Sequence, residues 1–187
     1  FHQQVGAVSP AGRVPVLVPA EGAQLTGSAM ILEYLDDLVG TERALMPPSG
    51  PARRAALRIL AFATGAAEKA IQIVGERVFR PEEKWHAPYV ERCRTQMRGA
   101  LGELDAACAQ AADREWLIGD DSGNGRIGQA DITVGCFVTY VREAVPEPID
   151  DFPALRARVD RYQALPVFQR YYAPFDLPKP TTASVSA

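Results

Sequence analysis

The chain has 187 residues, of which 47% are hydrophobic and 23% charged, and this balance is typical of a globular protein. Its formal net charge of −3 leaves no basic surface for nucleic acid and no polybasic segment for anionic lipids. No apolar run approaches the length of a membrane span, and the first residues lack the pattern of a signal peptide.

The N-terminal part of the sequence predicts two short strands followed by a helix. The first residues show no clear pattern, and an apolar run over residues 14–18 then predicts a buried strand. Turn residues and a returning strand over residues 23–26 come next. Ser28 predicts the N-cap of a helix. Behind it, apolar residues recur at helical spacing: Ile31, Tyr34, Leu35 and Leu38.

Residues 40–51 contain three prolines and two glycines and predict a linker. The sequence after it has helical patterns as far as residue 175. A helix over residues 88–112 shows the clearest apolar stripe, which consists of Val90, Cys93, Met97, Leu101, Leu104 and Cys108. A helix over residues 129–144 is apolar on most sides, so we expect it at the buried centre of a bundle. Further helices are predicted over residues 52–79, 152–165 and 167–172. Residues 176–187 are rich in Pro, Thr and Ser and predict a disordered tail.

The three cysteines, Cys93, Cys108 and Cys136, predict neither a disulfide framework nor a zinc site, because their number is odd and they show no CxxC spacing. We expect all three to be small core residues. His2 and His86 have no carboxylate or cysteine partner at ligand spacing, so no metal site and no catalytic triad is predicted. Unpaired cysteines without a secretion signal favour a cytoplasmic location.

Three stretches together resemble the glutathione S-transferase family. They are the run from Gly12 to Leu17, the run from Ser28 to Leu35, and Gly128-Gln129-Ala130-Asp131, which is similar to the family's Ser/Thr-x-x-Asp capping box. Gly75 to Lys84 is also similar to a pattern in some bacterial members. The resemblance spans residues 1–175.

The resemblance implies an α+β, mostly helical fold in separate parts. The C-terminal half of a thioredoxin-like glutathione-binding domain would occupy residues 1–39, and the linker residues 40–51. The all-α C-terminal bundle of the family would occupy residues 52–175. In this family the proteins are cytoplasmic homodimers, and we expect the same here.

A glutathione site at Arg13, Val14, Pro15, Gly27 and Ser28 is implied by the resemblance. In the family the Val-Pro peptide is cis and the Val backbone pairs with the cysteinyl part of glutathione, although most X-Pro bonds are trans. The Ser at the helix start binds the γ-glutamyl carboxylate, and a residue near Arg13 reaches the glycyl carboxylate. From the residues alone, Ser28 is equally a plain cap and Arg13 a solvated charge.

Two glycines depart from the family pattern. Gly27 stands where the family usually has Glu or Gln, so one side-chain contact to glutathione is lost. Gly128 replaces the Ser or Thr of the capping box, but Asp131 can still reach back to the backbone amide. We assign this second motif to folding and not to catalysis.

No residue of this chain matches the catalytic Ser, Tyr or Cys of the family, which lies on the first helix of a strand–helix–strand unit. Because the sequence begins with Phe1 and not with Met, we expect that unit upstream. Two functions are then open. The first is an enzyme in which the glutathione thiolate attacks an electrophilic small molecule, and no metal takes part. The alternative is a non-catalytic module for dimerisation or protein binding.

Overall fold

The computed structural model describes residues 2–20, 22–118, 125–145 and 149–176. The chain forms two compact units, Phe1–Pro48 and Ser49–Ala187. Most of the tail predicted over residues 176–187 lies outside the described residues.

The first unit contains two helices and a small sheet, in the order α1 (His2–Val8), β1 (Val16–Leu17), β2 (Leu25–Thr26) and α2 (Ser28–Val39). The sequence did not predict α1. Seven residues make fewer than two helical turns, which is too short for a periodic apolar pattern to show. Helix α1 ends where the N–H of Ser9 donates to the carbonyl of Val5 (2.7 Å).

The sheet is antiparallel, with Val16 opposite Thr26 and Leu17 opposite Leu25. Its strands are shorter than predicted, and the expectation of a buried strand over residues 14–18 is wrong at both ends. Val14 is 56% exposed and Val18 is 61% exposed. In the described residues the pairing with β2 includes only Val16 and Leu17 of this run, so Val14 and Val18 lie outside the ladder.

Helix α2 has no fully buried residue. It ends at Gly40, whose N–H donates to the carbonyls of Asp36 and Asp37 (3.1 and 3.3 Å). The Asp36 carboxylate accepts the N–H groups of Leu45 and Met46 (2.7 and 3.0 Å), and this fastens the segment after the helix.

The second unit is helical throughout its described part. Its helices are α3 (Gly50–Phe79), α4 (Ala87–Gln110), α5 (Gln129–Ala144), α6 (Pro153–Gln163) and α7 (Pro166–Tyr171), with 3₁₀ turns at Glu82–Lys84 and Ile149–Asp151. Helix α3 begins two residues inside the predicted linker. Pro51 fits there, because the first helical turn needs no N–H donor at that position. None of the helices in the described ranges is long and apolar enough to cross a membrane.

The core of the second unit lies where α3 packs on α4 and α5, and α6 closes it against α4 and α5. The predicted stripe on α4 is buried from Cys93 to Cys108, which confirms its orientation. Cys136 on α5 is exposed, so the expectation of three core cysteines is wrong for this residue. It lies between Val134 and Val138, which face the core, and therefore on the other side of the helix.

Candidate functional site

The predicted site residues lie in two neighbouring segments of the first unit, one just before β1 and one at the start of α2. The Val14–Pro15 peptide is cis, as predicted. The carbonyl of Pro15 accepts the N–H of Gly27 (2.9 Å). This bond holds the start of α2 beside the residues that open β1, so Val14, Pro15, Gly27 and Ser28 come together.

The backbone of Val14 is open to a ligand. Neither its N–H nor its carbonyl hydrogen-bonds to any described residue, and the side chain is also exposed. A free backbone N–H and C=O on an exposed residue can pair with the backbone of a peptide laid against it. The site therefore offers a peptide-like ligand two backbone hydrogen bonds.

Arg13 is held at its backbone and free at its tip. Its N–H donates to the hydroxyl of Ser9 (3.1 Å), which is only 1% exposed. The side chain of Arg13 is exposed, and no carboxylate in the described part of the chain pairs with it. The guanidinium can therefore bind a ligand carboxylate. Sequence reasoning missed Ser9, because a serine in an unpatterned segment carries no signal.

Ser28 lies at the start of α2, but the prediction that it caps the helix is wrong. Gly27 is the N-cap, and Ser28 is the first helical residue and makes no capping hydrogen bond. The carbonyl of Gly27 accepts the N–H of Ile31 (3.2 Å), so the first turn begins one residue earlier than the Ser motif suggested. The Ser28 hydroxyl is left exposed and available.

The start of α2 has the electrostatics of an anion site. The first N–H groups of a helix have no partner within it, and the helix dipole adds positive potential there. No acidic residue lies in the first turn to neutralise that potential. An exposed hydroxyl beside these N–H groups can bind a carboxylate.

The backbone conformation of Gly27 explains why glycine stands where Glu or Gln is expected. Its φ of 95° lies in the left-handed region, which favours glycine, and no atom lies within 4 Å of the place a Cβ would take. Gly27 joins the cis-proline strand to α2 through its N–H, and the first turn of α2 through its carbonyl. It contributes only backbone to the site.

The capping motif of α5 is confirmed and belongs to folding. The fully buried Asp131 accepts the N–H groups of Gly128 and Leu117 (2.9 and 2.8 Å) and the hydroxyl of Tyr162. Burial and the nearby Asp131 raise the pKa of Tyr162. Trp116 stacks on the Tyr162 ring, with centroids 6.1 Å apart. Leu117 and Tyr162 are distant in sequence, so the motif alone could not reveal them.

A buried arginine completes this cluster. The guanidinium of Arg158 donates to the carbonyls of Ala111, Arg114 and Glu115, with distances of 3.0 and 2.9 Å to the latter two. It thereby supplies donors to carbonyls beyond the end of the α4 ladder, of which that of Ala111 also accepts the N–H of Arg114 (3.0 Å). Sequence reasoning could not predict this residue, because arginines are ordinarily solvated.

Cys108 and Cys136 carry no activated thiol. Burial raises the pKa of the Cys108 thiol to about 12, and desolvation also raises that of Cys136. Neither is therefore a thiolate at neutral pH. The backbone N–H of His86 donates to Glu76 (2.8 Å). In the residues that the structure describes, no group of three or more His, Cys, Asp or Glu side chains is placed to hold a metal ion.

The fold and the site define a partial thioredoxin-like domain with a cis-proline, followed by an all-helical domain. A family model of the glutathione S-transferase N-terminal domain matches residues 2–43, and a model of the C-terminal domain matches residues 87–173. The chain belongs to the glutathione S-transferase family.

Solved structures of the same family agree with this assignment. A glutathione S-transferase from Methylobacterium radiotolerans, in complex with glutathione sulfonate, is 28% identical with a TM-score of 0.76, and the match covers 94% of this chain and 80% of that one. A family member from Pseudomonas fluorescens Pf-5 with bound glutathione is 28% identical with a TM-score of 0.78, covering 92% and 80%. One from Methylobacillus flagellatus with bound glutathione is 26% identical with a TM-score of 0.77, covering 91% and 80%. No match was found among curated proteins.

Proposed function

We propose that this protein is a cytoplasmic glutathione transferase that binds glutathione beside the cis Val14–Pro15 peptide and transfers its thiolate to an electrophilic small molecule. The observation that carries the proposal is the free backbone of Val14 beside the cis peptide, held next to the open start of α2. The glutathione complexes of the similar structures support it.

Each part of glutathione has a matching group in the site. The Val14 N–H and C=O pair with the cysteinyl residue, which fixes the position of the thiol. The Ser28 hydroxyl and the first N–H groups of α2 bind the γ-glutamyl carboxylate. Arg13 binds the glycyl carboxylate. Positive groups thus lie at both ends of a ligand whose two carboxylates are negative.

The chemical step is a nucleophilic substitution at the positioned sulfur. A thiol with an ordinary pKa near 8.5 must lose its proton before it can attack. The sulfur then forms a bond to the electrophilic carbon, and the leaving group departs with the bonding electrons. None of the five site residues is suited to remove that proton, and we propose that another residue of the protein activates the thiol.

Isothermal titration with glutathione and with its glycyl ethyl ester tests the placement of Arg13. We expect Arg13→Ala to weaken glutathione binding about tenfold, since a charged hydrogen bond is lost. Binding of the ester, which lacks the glycyl carboxylate, should not change. Arg170→Ala, at an exposed arginine of α7, is the matched control. If Arg13→Ala lowered the affinity for both ligands equally, Arg13 would not bind the glycyl carboxylate.

A non-catalytic binding module is the second candidate, and the missing side chain at Gly27 favours it. Turnover of a generic aryl halide with glutathione separates the two candidates. Glutathione-dependent product formation supports the enzyme. Binding weaker than millimolar together with no turnover in the protein with its native N-terminus supports the module.

We also propose that the protein is a homodimer in which the α3 helices of two copies pack antiparallel about Ala61. An exposed stripe of α3 contains Leu57 and Glu68, with Arg54 at its start. Pairing about Ala61 sets Arg54 against Glu68 of the second copy and Leu57 against Gly65, where no atom lies within 4 Å of an added Cβ. The charges and the shapes are then complementary.

Light scattering with charge-reversal variants tests this dimer. Arg54→Glu should lower the dimer fraction because it faces Glu68 with a like charge, and adding Glu68→Arg should restore it. A monomeric mass for the unmodified protein overturns the proposal. A dimer that Arg54→Glu does not weaken also overturns it.

A further inference from the structure

Helix α7 is fixed against the core by its own contacts, independently of the residues that follow it. The Phe168 side chain is buried, and its ring stacks on Tyr162 with centroids 5.9 Å apart. It lies so close to α5 that a Cβ added at Gly135 would stand 2.5 Å from the ring. The glycine thus leaves the space that the ring fills, and α7 is fixed against the core.

The next residues, 172–176, cross α5 as a strap, and a single carboxylate fastens them. Glu143 accepts the Tyr172 hydroxyl on Oε1 (2.6 Å) and the N–H of Phe175 on Oε2 (2.9 Å). The Phe175 ring meets Tyr140, one turn earlier on α5, edge to face at 5.0 Å. No other hydrogen bond joins the strap to the described residues.

These contacts lie at the surface. Glu143, Tyr172 and most of the strap are exposed, and only Phe175 and Tyr140 are half-buried. The nearest cation on α5, Arg142, is paired with Asp160 of α6 (2.7 Å) and does not compete for Glu143. The hydrogen bond to Glu143 raises the pKa of Tyr172. Segments with few buried contacts and exposed hydrogen bonds open locally at low cost.

We infer that residues 172–176 form a detachable strap latched by Glu143, and that its release uncovers the surface of α5 made by Tyr140 and Glu143. In the closed state the chain's own strap occupies it. Release leaves α7 in place, since Phe168 anchors that helix independently.

Amide exchange measured by NMR tests the latch directly. In Glu143→Ala, the Phe175 amide should exchange about tenfold faster or more, because both charged hydrogen bonds of the strap are lost. The Phe168 amide, which donates to the carbonyl of Leu165 (3.0 Å), should be unchanged. Tyr172→Phe should have a smaller effect, since the bond from Phe175 remains.

Asp160→Ala is the matched control, because it removes a surface carboxylate bonded to the same turn of α5 without touching the strap. Residue-resolved nitration measures the opened surface, and Tyr140 should react faster in Glu143→Ala than in the control. An unchanged Phe175 amide overturns the inference. Equal acceleration at Phe168 also overturns it, since α7 would then move with the strap.

Discussion

Gly27 carries the geometry of the candidate site through its backbone alone. A left-handed φ of 95° places its N–H on Pro15 and its carbonyl on the first turn of α2. With a ψ of 144° as well, this conformation is nearly restricted to glycine, and any other residue here would cost about 1–3 kcal/mol. Glycine therefore lacks the side-chain contact to glutathione that the family resemblance implies, but it joins Pro15 to α2 without backbone strain.

Gly27→Ala should lower the free energy of unfolding of its unit by about 1–3 kcal/mol, because alanine rarely adopts this backbone conformation. Gly27→Gln should show the same loss but add an amide side chain in open space near the ligand. We expect it to bind glutathione more tightly than Gly27→Ala. Urea unfolding and titration calorimetry measure the two effects, and equal affinities would show that the side chain does not reach the ligand.

Tyr162 stabilises the second unit through its hydroxyl. Tyr162→Phe removes the donor to the buried Asp131 and should cost about 1–3 kcal/mol in the free energy of unfolding. Tyr171→Phe is the matched control, since Tyr171 is 73% exposed, and it should change stability by less than about 0.5 kcal/mol. Equal effects in chemical denaturation would contradict a role for the buried hydroxyl.

At the scale of elements, long helices were predictable and short ones were not. The stripe of α4 and the bounds of α5 follow from apolar spacing over many turns. Helix α1 has too few turns for such a pattern, and the strands β1 and β2 are defined by pairing, which a local sequence does not contain. Element existence was therefore predictable where the periodic signal was long.

Some features of the candidate site could be predicted from the sequence and others could not. The cis peptide was predicted from its family context, because Val14-Pro15 precedes a strand and the Ser28 helix. The cap was assigned to the wrong residue, because a Ser before a helix has the same sequence signature whether it caps or begins the helix. Ser9 depends on a contact across an unpatterned segment, which the sequence does not reveal. The ligand roles of all five site residues remain predictions.

For the whole molecule, buried side chains are unevenly divided between the two units. In the described part of the first unit, Ser9 and Met46 are the buried residues, whereas the second unit contains the apolar core of its helices. The free energy of unfolding of the second unit should therefore depend mainly on the stability of that core.

High pH should destabilise the second unit. The Cys108 thiol has a pKa of about 12 in the folded state against an ordinary value of 9.0, and that of Tyr162 is raised above 10.0. Both groups hold their protons more tightly when folded, so their contribution is complete below about pH 9 and is lost progressively as the pH rises from there towards the folded values. Urea unfolding at pH 8 and pH 11 measures this loss. It should be smaller in Cys108→Ala, and equal stability of the unmodified protein at both pH values would contradict it.

The placement of the two tryptophans decides what optical experiments on this protein report. Trp116 stacks on Tyr162, and Trp85, in the turn between α3 and α4, donates its indole N–H to the carbonyl of Arg80 (3.0 Å). Both belong to the second unit. Intrinsic tryptophan emission thus follows the helical unit alone, because the cis-proline unit contains no tryptophan. A fluorophore introduced into α2, for example by Tyr34→Trp, would give that unit a signal of its own.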